Sequence, residues 1–462
     1  MTKIVWRTLL ALLLLIPIPL GSFRAGPWSI AGIVVALLSV AWMVLVATGR
    51  LRLFWRVWLW PPAVMFAGVV LWIVIQIAWP APPGLAHPIW DLTAATLGSP
   101  VHARISADPE AGCAALIRLL SAAMIFWLVL QFTRAREHAI ELVHCFAVAA
   151  AAIALYGLVS FITGNHYLLF YTRWAYLNDV TGTFVNRNTY ATFAGLGLLA
   201  LVTLFVDTYR RAFRETDPTL SWIGRRQAAM AGWPTAYLVG ALIDAMALLQ
   251  SHSRMGFLAS LAGFVTLLLL LSLSRQLRGR GSIVVIVILV AGAFYASGAN
   301  TFDRIAAGET SGRPALIALT RSAIATAPLI GSGYGSFETV FPMYRDTTLP
   351  GQNYEMAHST YLELAMEIGI LAAVAMVLSL LWFTLIALVG VFRRERDRSL
   401  PAIAVAASVL VAVHSMLDFS LQIPGVQYIF AALLGLGVAQ AFPMAESAQR
   451  PNVPRMKVRE TR

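Results

Sequence analysis

Residues 368–391 read IGILAAVAMVLSLLWFTLIALVGV and contain no charged side chain. A helix crosses the hydrocarbon core of a bilayer, about 30 Å thick, with about 20 residues, so this stretch predicts a membrane span, which we extend to 359–391. The whole chain is 59% hydrophobic and 12% charged, whereas a soluble domain carries about 25% charged residues. The chain is therefore predicted to be an all-α polytopic membrane protein, because backbone polar groups in lipid must pair within helices.

Similar apolar stretches recur along the 462 residues. We predict a single transmembrane domain over 1–442, followed by a polar, basic and disordered cytoplasmic tail over 443–462. The two cysteines lie in predicted spans, which argues against a disulfide framework. The twelve predicted spans are 4–20, 28–48, 57–79, 112–132, 139–163, 188–206, 233–250, 254–273, 282–298, 359–391, 400–416 and 426–442.

The distribution of basic residues predicts the orientation of these spans. If the N-terminus is cytoplasmic, 24 of the 34 Lys and Arg residues fall in cytoplasmic segments. Cytoplasmic loops are enriched in Lys and Arg, so we expect both termini inside. The basic residues sit beside apolar spans and not in a patch interleaved with aromatics, so the net charge of +12 does not indicate a nucleic-acid partner.

The polar residues 299–358 separate the ninth and tenth spans, and the predicted orientation makes them a large periplasmic loop. ATP and nucleotide sugars are not available on that side. Chemistry there would depend on an activated substrate delivered across the membrane, or on a gradient. No cofactor is expected, and no ligand spacing such as HExxH predicts a metal site.

Three residues are the strongest catalytic candidates. Arg254 lies at the edge of a span, where an unpaired charge is costly, and a guanidinium binds phosphate oxygens in pairs. Arg313 lies in the large loop, where it could also be an ordinary solvated charge. His358 closes that loop and could act as a general base, although a packed histidine is an equal alternative. Glu363 or Glu367 could orient its imidazole, but a role in capping or in pairing with solvent is an equal alternative.

Other polar residues near the predicted outer ends of spans are candidates for substrate binding. His414 and Asp418 are spaced i, i+4 and could equally be a helix-end hydrogen bond. Arg321 competes with Arg313 as the loop arginine. The full set of candidate substrate-binding residues is Arg187, Asn188, Arg321, His414 and Asp418.

Several motifs in a fixed order resemble the O-antigen ligase family, whose members include lipopolysaccharide O-antigen ligases, polysaccharide polymerases and protein O-oligosaccharyltransferases. The resemblance covers about 182–424. His358, Ser359 and Gly369 fit the family's ligase motif, and Ala372 departs from its last position. The other matching elements are Asn186 and Asn188, Ser253-Arg-Met-Gly256, Gly312-Arg313, Pro328-Leu-Ile-Gly-Ser-Gly333, and His414 with Asp418-Phe419 and Pro424.

The resemblance implies a fold similar to the membrane-embedded GT-C glycosyltransferases, in the inner membrane of a bacterium. It also implies a reaction: inverting, metal-independent transfer of a glycan from undecaprenyl pyrophosphate to an acceptor hydroxyl at the periplasmic face. The acceptor would be lipid A–core, another glycan or a protein. Arg254 and Arg313 would stabilise the leaving pyrophosphate, and His358 would accept the proton of the acceptor hydroxyl.

Three other functions stay open on the sequence. A polymerase of O-antigen or exopolysaccharide would use the same chemistry on a growing glycan. A twelve-span transporter would be expected to carry repeats and several buried acids, and only Asp244 is a clear acidic candidate. A peptidoglycan polymerase also uses lipid-linked donors, but the motifs around Arg254 and His358 argue against it.

Overall fold

The structure is a computed structural model that describes residues 1–82, 84–274, 312–347, 349 and 354–442. Three predicted features lie outside or partly outside these residues. The predicted ninth span (282–298), the first part of the predicted loop (299–311) and the predicted tail (443–462) are not among the described residues.

The described chain is mostly helical. The only strands among the described residues are a two-stranded antiparallel hairpin, β1 (Tyr167–Leu168) and β2 (Tyr171–Thr172). The helices are α1 (Thr2–Leu15), α2 (Ala25–Ala47), α3 (Trp60–Ala78), α4 (Ile89–Leu97), α5 (Pro109–Phe132), α6 (Arg136–Ile162), α7 (Arg187–Glu215), α8 (Trp222–Ala229), α9 (Trp233–Gln250), α10 (Arg254–Leu273), α11 (Arg313–Thr326), α12 (Phe337–Val340), α13 (Thr360–Ile368), α14 (Ile370–Arg393), α15 (Ser399–His414) and α16 (Pro424–Ala441).

The long apolar helices agree with a polytopic membrane protein. In the described residues, eight helices are long and apolar enough to cross a membrane, or nine if the bent pair α8 and α9 forms one span. α15 is apolar but shorter, with 16 residues. α1 ends at Leu15, just before Pro17 and Pro19, and its 14 residues would extend only about 21 Å. Twelve spans are therefore not confirmed.

Two helices form the centre of the bundle. The apolar part of α7 is 83% buried and that of α16 is 94% buried, whereas the outer helix α14 is 22% buried. Small residues allow this close approach: a Cβ on Gly437 would lie 2.1 Å from the Cβ of Ala404 on α15. Small residues at helix contacts are typical of membrane bundles, where backbones pack closely.

The predicted tenth span is not one helix. It divides into α13 and α14 at Gly369, which has φ 79° and ψ 158°. A loop that contains Gly331 and Gly333 packs beneath the break: Gly333 N–H donates to the carbonyl of Glu367 at 2.8 Å, and Ile370 N–H donates to that of Pro328 at 2.8 Å. α13 packs with the short helices α11 and α12, and we call these three helices the cap. α14 begins the span.

Candidate functional site

Two helices begin side by side where the candidate residues gather. The Asn186 side chain caps α7 by accepting the N–H of Asn188 at 2.7 Å, and Ser253 caps α10 by accepting the N–H of Gly256 at 3.2 Å. Arg187 and Arg254 are therefore the first residues of their helices. Helix N-termini carry partial positive charge and free N–H groups, so this arrangement favours an anion.

A buried hydrogen-bond chain connects these helix starts to the segment after α15. The Ser253 hydroxyl donates to Asn188 Oδ1 at 2.7 Å, and Asn188 Nδ2 donates to Asp418 Oδ2 at 3.0 Å. The carbonyl of Asp418 accepts the Thr360 hydroxyl at 3.0 Å, at the start of α13. Asn188 and Asp418 are thereby hydrogen-bonded to other protein groups, and their predicted role in substrate binding stays a prediction.

Arg187 is held by residues that the sequence did not single out. Asp179 accepts from Arg187 Nη1 at 3.0 Å and lies 2.8 Å from Nδ1 of His252. The Arg187 guanidinium also lies 5.4 Å from the ring centre of Tyr176. The segment before α7 has no regular hydrophobic periodicity. The one sequence signal for the contact between Arg187 and Asp179 was the presence of acidic and aromatic residues close to a basic residue at the start of a helix.

His358 lies directly before α13 in the left-handed region, at φ 53°. Its ring packs edge-on against Phe419, 5.1 Å between centroids. Its Nδ1 is buried and has no hydrogen-bond partner among the described residues. Burial lowers the pKa of His358 below its ordinary value of 6.5, with Asp418 raising it and Arg313 lowering it again. The imidazole is therefore neutral at neutral pH and can accept a proton.

Arg313 is the first residue of α11, and its charge acts on both His358 and the half-buried Tyr176. Arg321 follows eight residues later, about 12 Å along the helix. It is exposed and makes no hydrogen bond or ion pair with a described residue. The structure thus brings Arg313 to the cluster and leaves Arg321 on an outer surface of α11.

His414 is the last residue of α15 and lies against the first turns of α7. Its Nδ1 is 2.5 Å from the Thr192 hydroxyl on α7, and the side chain is fully buried. This contact ties α15 to α7. Among the described residues, no group of three or more His, Cys, Asp or Glu side chains is arranged to hold a metal ion.

A cavity of about 630 Å³ lies between α2, α3, α5, α14 and α16. Its walls are largely apolar and include Phe126, Phe383 and Leu434. Polar groups gather along the rest of its wall, among them Arg118, Glu363 and Glu367. Arg118 was missed by the sequence reasoning, although a charge inside the predicted span 112–132 is itself a reason to suspect function.

The two glutamates hold backbone groups near the site and not the imidazole. Glu363 Oε2 accepts the N–H of Ala357 at 2.7 Å, and Glu367 Oε1 accepts the N–H of Phe337 at 3.1 Å. The capping alternative considered for these residues is therefore the one that the structure supports. Glu363 fixes the backbone next to His358.

Comparison with known proteins identifies one domain. Residues 239–377 match the family model described as O-antigen ligase. The match includes Arg254, Arg313 and His358, and it ends before His414 and Asp418. No curated protein matches the chain.

Proposed function

We propose that this chain, whose residues 239–377 match the family model described as O-antigen ligase, transfers a glycan from undecaprenyl pyrophosphate to an acceptor hydroxyl at the periplasmic face of a bacterial inner membrane. One observation carries this proposal. Arg187, Arg254 and Arg313, each the first residue of its helix, lie with His358 around one hydrogen-bonded cluster.

The cluster suits a diphosphate leaving group. As the acceptor oxygen bonds to the anomeric carbon, the bond from that carbon to the pyrophosphate oxygen breaks and its electron pair stays on the pyrophosphate. Arg254 and Arg313 stabilise the charge that develops there, and the N-termini of α7 and α10 add N–H dipoles. Charge stabilisation of this kind requires no divalent ion.

His358 suits the role of proton acceptor. The acceptor hydroxyl loses its proton as its oxygen attacks, and a neutral imidazole nitrogen receives it. Burial keeps the pKa of His358 below its ordinary value, so the base form is already present at neutral pH. Attack on the face opposite the leaving group inverts the anomeric centre.

The cavity suits the lipid part of the donor. Its apolar walls lie within the bundle, and Thr360, which lines it, is two residues from His358. A prenyl chain in the cavity would leave its diphosphate near the helix starts. A polymerase would use the same site with a growing glycan as acceptor, so the acceptor separates the two functions.

A transfer assay with the purified full chain tests the proposal. The donor is a glycan on undecaprenyl pyrophosphate, and the acceptor is either lipid A–core or a second lipid-linked glycan, with products resolved by mass spectrometry. Product on lipid A–core identifies a ligase, and elongated lipid-linked glycan identifies a polymerase. No transfer to either acceptor would contradict the proposal for these acceptor classes.

Single substitutions test the residues. We expect Arg254→Ala and Arg313→Ala each to lower kcat about 10²- to 10³-fold and His358→Ala about 10²- to 10⁴-fold. Arg226→Ala, which removes an exposed arginine on α8, is the matched control and should transfer normally. Near-normal rates in all three site variants would refute the assignment.

A further inference from the structure

A second cavity, of about 570 Å³ and lined by charged residues, lies at the other end of the bundle. Among the described residues, six arginines line it, and we call this the arginine pocket: Arg136, Arg210, Arg211, Arg214, Arg396 and Arg398. Asn188 at the candidate site and Arg211 are 23 residues apart on α7, about 35 Å along the axis. The arginine pocket is therefore about one bilayer thickness from the candidate site.

Four separate parts of the chain form its walls. Arg136 begins α6, Arg210 to Arg214 end α7, Ser274 follows α10, and Arg396 and Arg398 lie between α14 and α15. Side-chain bonds fix these parts to each other. Arg398 Nη1 donates to the carbonyl of Ser274 at 2.7 Å, and the Ser399 hydroxyl donates to Asp207.

The pocket has an excess of positive charge. Its three carboxylates belong to Asp207, Glu395 and Asp397, against six guanidinium groups. Asp397 pairs with two of the guanidinium groups: it accepts a hydrogen bond from Arg136 Nε at 2.8 Å and lies 3.9 Å from Arg211. Arg214 and Arg396 are exposed, and their guanidinium groups make no hydrogen bond or ion pair with a described residue.

Topology alone does not account for this arrangement. Basic residues next to spans set orientation, and for that purpose each needs only to face water near its own span. Here arginines from α6, α7 and the α14–α15 turn converge on one cavity, although like charges repel at this range. A guanidinium binds phosphate oxygens in pairs, so a phosphate-bearing ligand is the partner that this convergence fits.

We propose that the arginine pocket binds the headgroup of an anionic membrane lipid that carries two phosphates. The pocket lies where spanning helices end, which is the depth of lipid headgroups, and basic pockets between such helices recognise headgroups of this class. Its volume exceeds that of one phosphate, and an excess of three positive charges calls for more than one negative charge. This site is separate from the diphosphate of the proposed donor and does not depend on the proposed function.

Thermal unfolding of the purified full chain in detergent tests this. The probes are cardiolipin, which carries two phosphates, phosphatidylglycerol, which carries one, and inorganic pyrophosphate, which has no lipid. We expect cardiolipin to raise the Tm at the lowest concentration. The double substitution Arg214→Gln and Arg396→Gln should raise its half-saturating concentration by on the order of 10-fold or more.

The control is Arg50→Gln with Arg226→Gln, which removes the same charge from two exposed positions outside the pocket. It should keep the cardiolipin response. An equal loss in the control would mean non-specific surface charge, and an equal response to phosphatidylglycerol would exclude a two-phosphate site. An equal response to pyrophosphate would mean a small-anion site, and any of these results overturns the proposal.

Charge-conserving substitutions guard against a variant that does not fold. Arg214→Lys with Arg396→Lys retains the charge and loses the planar fork. We expect its response to cardiolipin to lie between those of the original chain and the Gln variant. A response equal to that of the original chain would rule out recognition through the guanidinium fork.

Discussion

At the scale of single residues, the backbone conformation of His358 depends on the carboxylate of Glu363, five residues later in the chain. A residue other than glycine at φ 53° is uncommon and is held in place by its surroundings. The hydrogen bond from Ala357 N–H to Glu363 supplies that constraint from inside α13. Glu363 is thus a positioning residue for the proposed base.

Two substitutions at this position separate positioning from structure. Glu363→Ala leaves the buried Ala357 N–H without an acceptor, at a cost of about 1–3 kcal/mol. We expect a lower Tm and a kcat loss of at least about 10-fold, with a smaller change in KM. Glu363→Gln retains an acceptor oxygen and should recover most of the activity. If the Gln variant transfers as poorly as the Ala variant, the backbone role is wrong.

The sequence allowed candidate site residues to be proposed but did not reveal their contacts. His358, Arg254 and Arg313 could be found because they stand in motifs whose order resembles a family. The contacts of Asp179 could not be found, because Asp179 lies in the segment before α7, which has no periodic pattern, and its partner His252 comes from a distant part of the chain. Contacts of this kind depend on how helices assemble, which one sequence does not reveal.

At the scale of elements, the break between α13 and α14 is also a feature that the sequence alone did not reveal. The hydrophobic pattern continues through Gly369, so it predicted one span over 359–391. The break forms because the loop 328–335 occupies the end of α13: a Cβ on Gly369 would lie 2.2 Å from the carbonyl oxygen of Leu329, and one on Gly331 would lie 2.3 Å from that of Glu367. Without the loop 328–335 packed against it, nothing marks Gly369 as different from a glycine inside a continuous helix.

Gly369→Ala should therefore disturb the cap and not the bundle. The substitution adds a clash at a backbone conformation that is essentially confined to glycine, φ 79° and ψ 158°, and such a conformation costs about 1–3 kcal/mol for a residue with a Cβ. We expect a Tm decrease of several degrees together with loss of transfer, because α13 begins next to His358. Both are measured on the purified chain.

Gly68→Ala is the matched control. Gly68 lies inside α3, and an added Cβ would meet no atom within 4 Å. Alanine is favoured over glycine in a helix by about 1 kcal/mol, so its Tm should stay equal or rise. Equal effects at the two positions would contradict the role assigned to Gly369.

At the scale of the whole molecule, the polar features divide between two ends of an apolar bundle. The candidate site lies where α7 and α10 begin, and the arginine pocket lies about 35 Å away where α7 ends. The composition predicted this membrane architecture, because long apolar stretches separated by basic turns are a property of the sequence itself. The cavity beside α5 depends on the assembled helices and was not predicted, although Arg118 inside a predicted span was a signal that could have indicated it.

That cavity gives a prediction about the length of the donor lipid. If the prenyl chain of the donor occupies it, a larger side chain on its wall should weaken binding of a long-chain donor. Ala123 lines the cavity on α5, and Ala123→Phe would reduce its volume. We expect the KM for an undecaprenyl donor to rise about 10-fold or more, because several buried methylene groups lose their contacts at about 0.8 kcal/mol each.

A farnesyl donor should be affected much less, since its chain is too short to reach deep into the cavity. Ala236→Phe adds the same side chain to an exposed position of α9 outside the cavity and serves as the control. The ratio of KM values for long and short donors is the decisive quantity, because a general packing defect would change both donors alike. A ratio that Ala123→Phe leaves unchanged would exclude the cavity as the site of the prenyl chain and leave the transfer chemistry at His358 untouched.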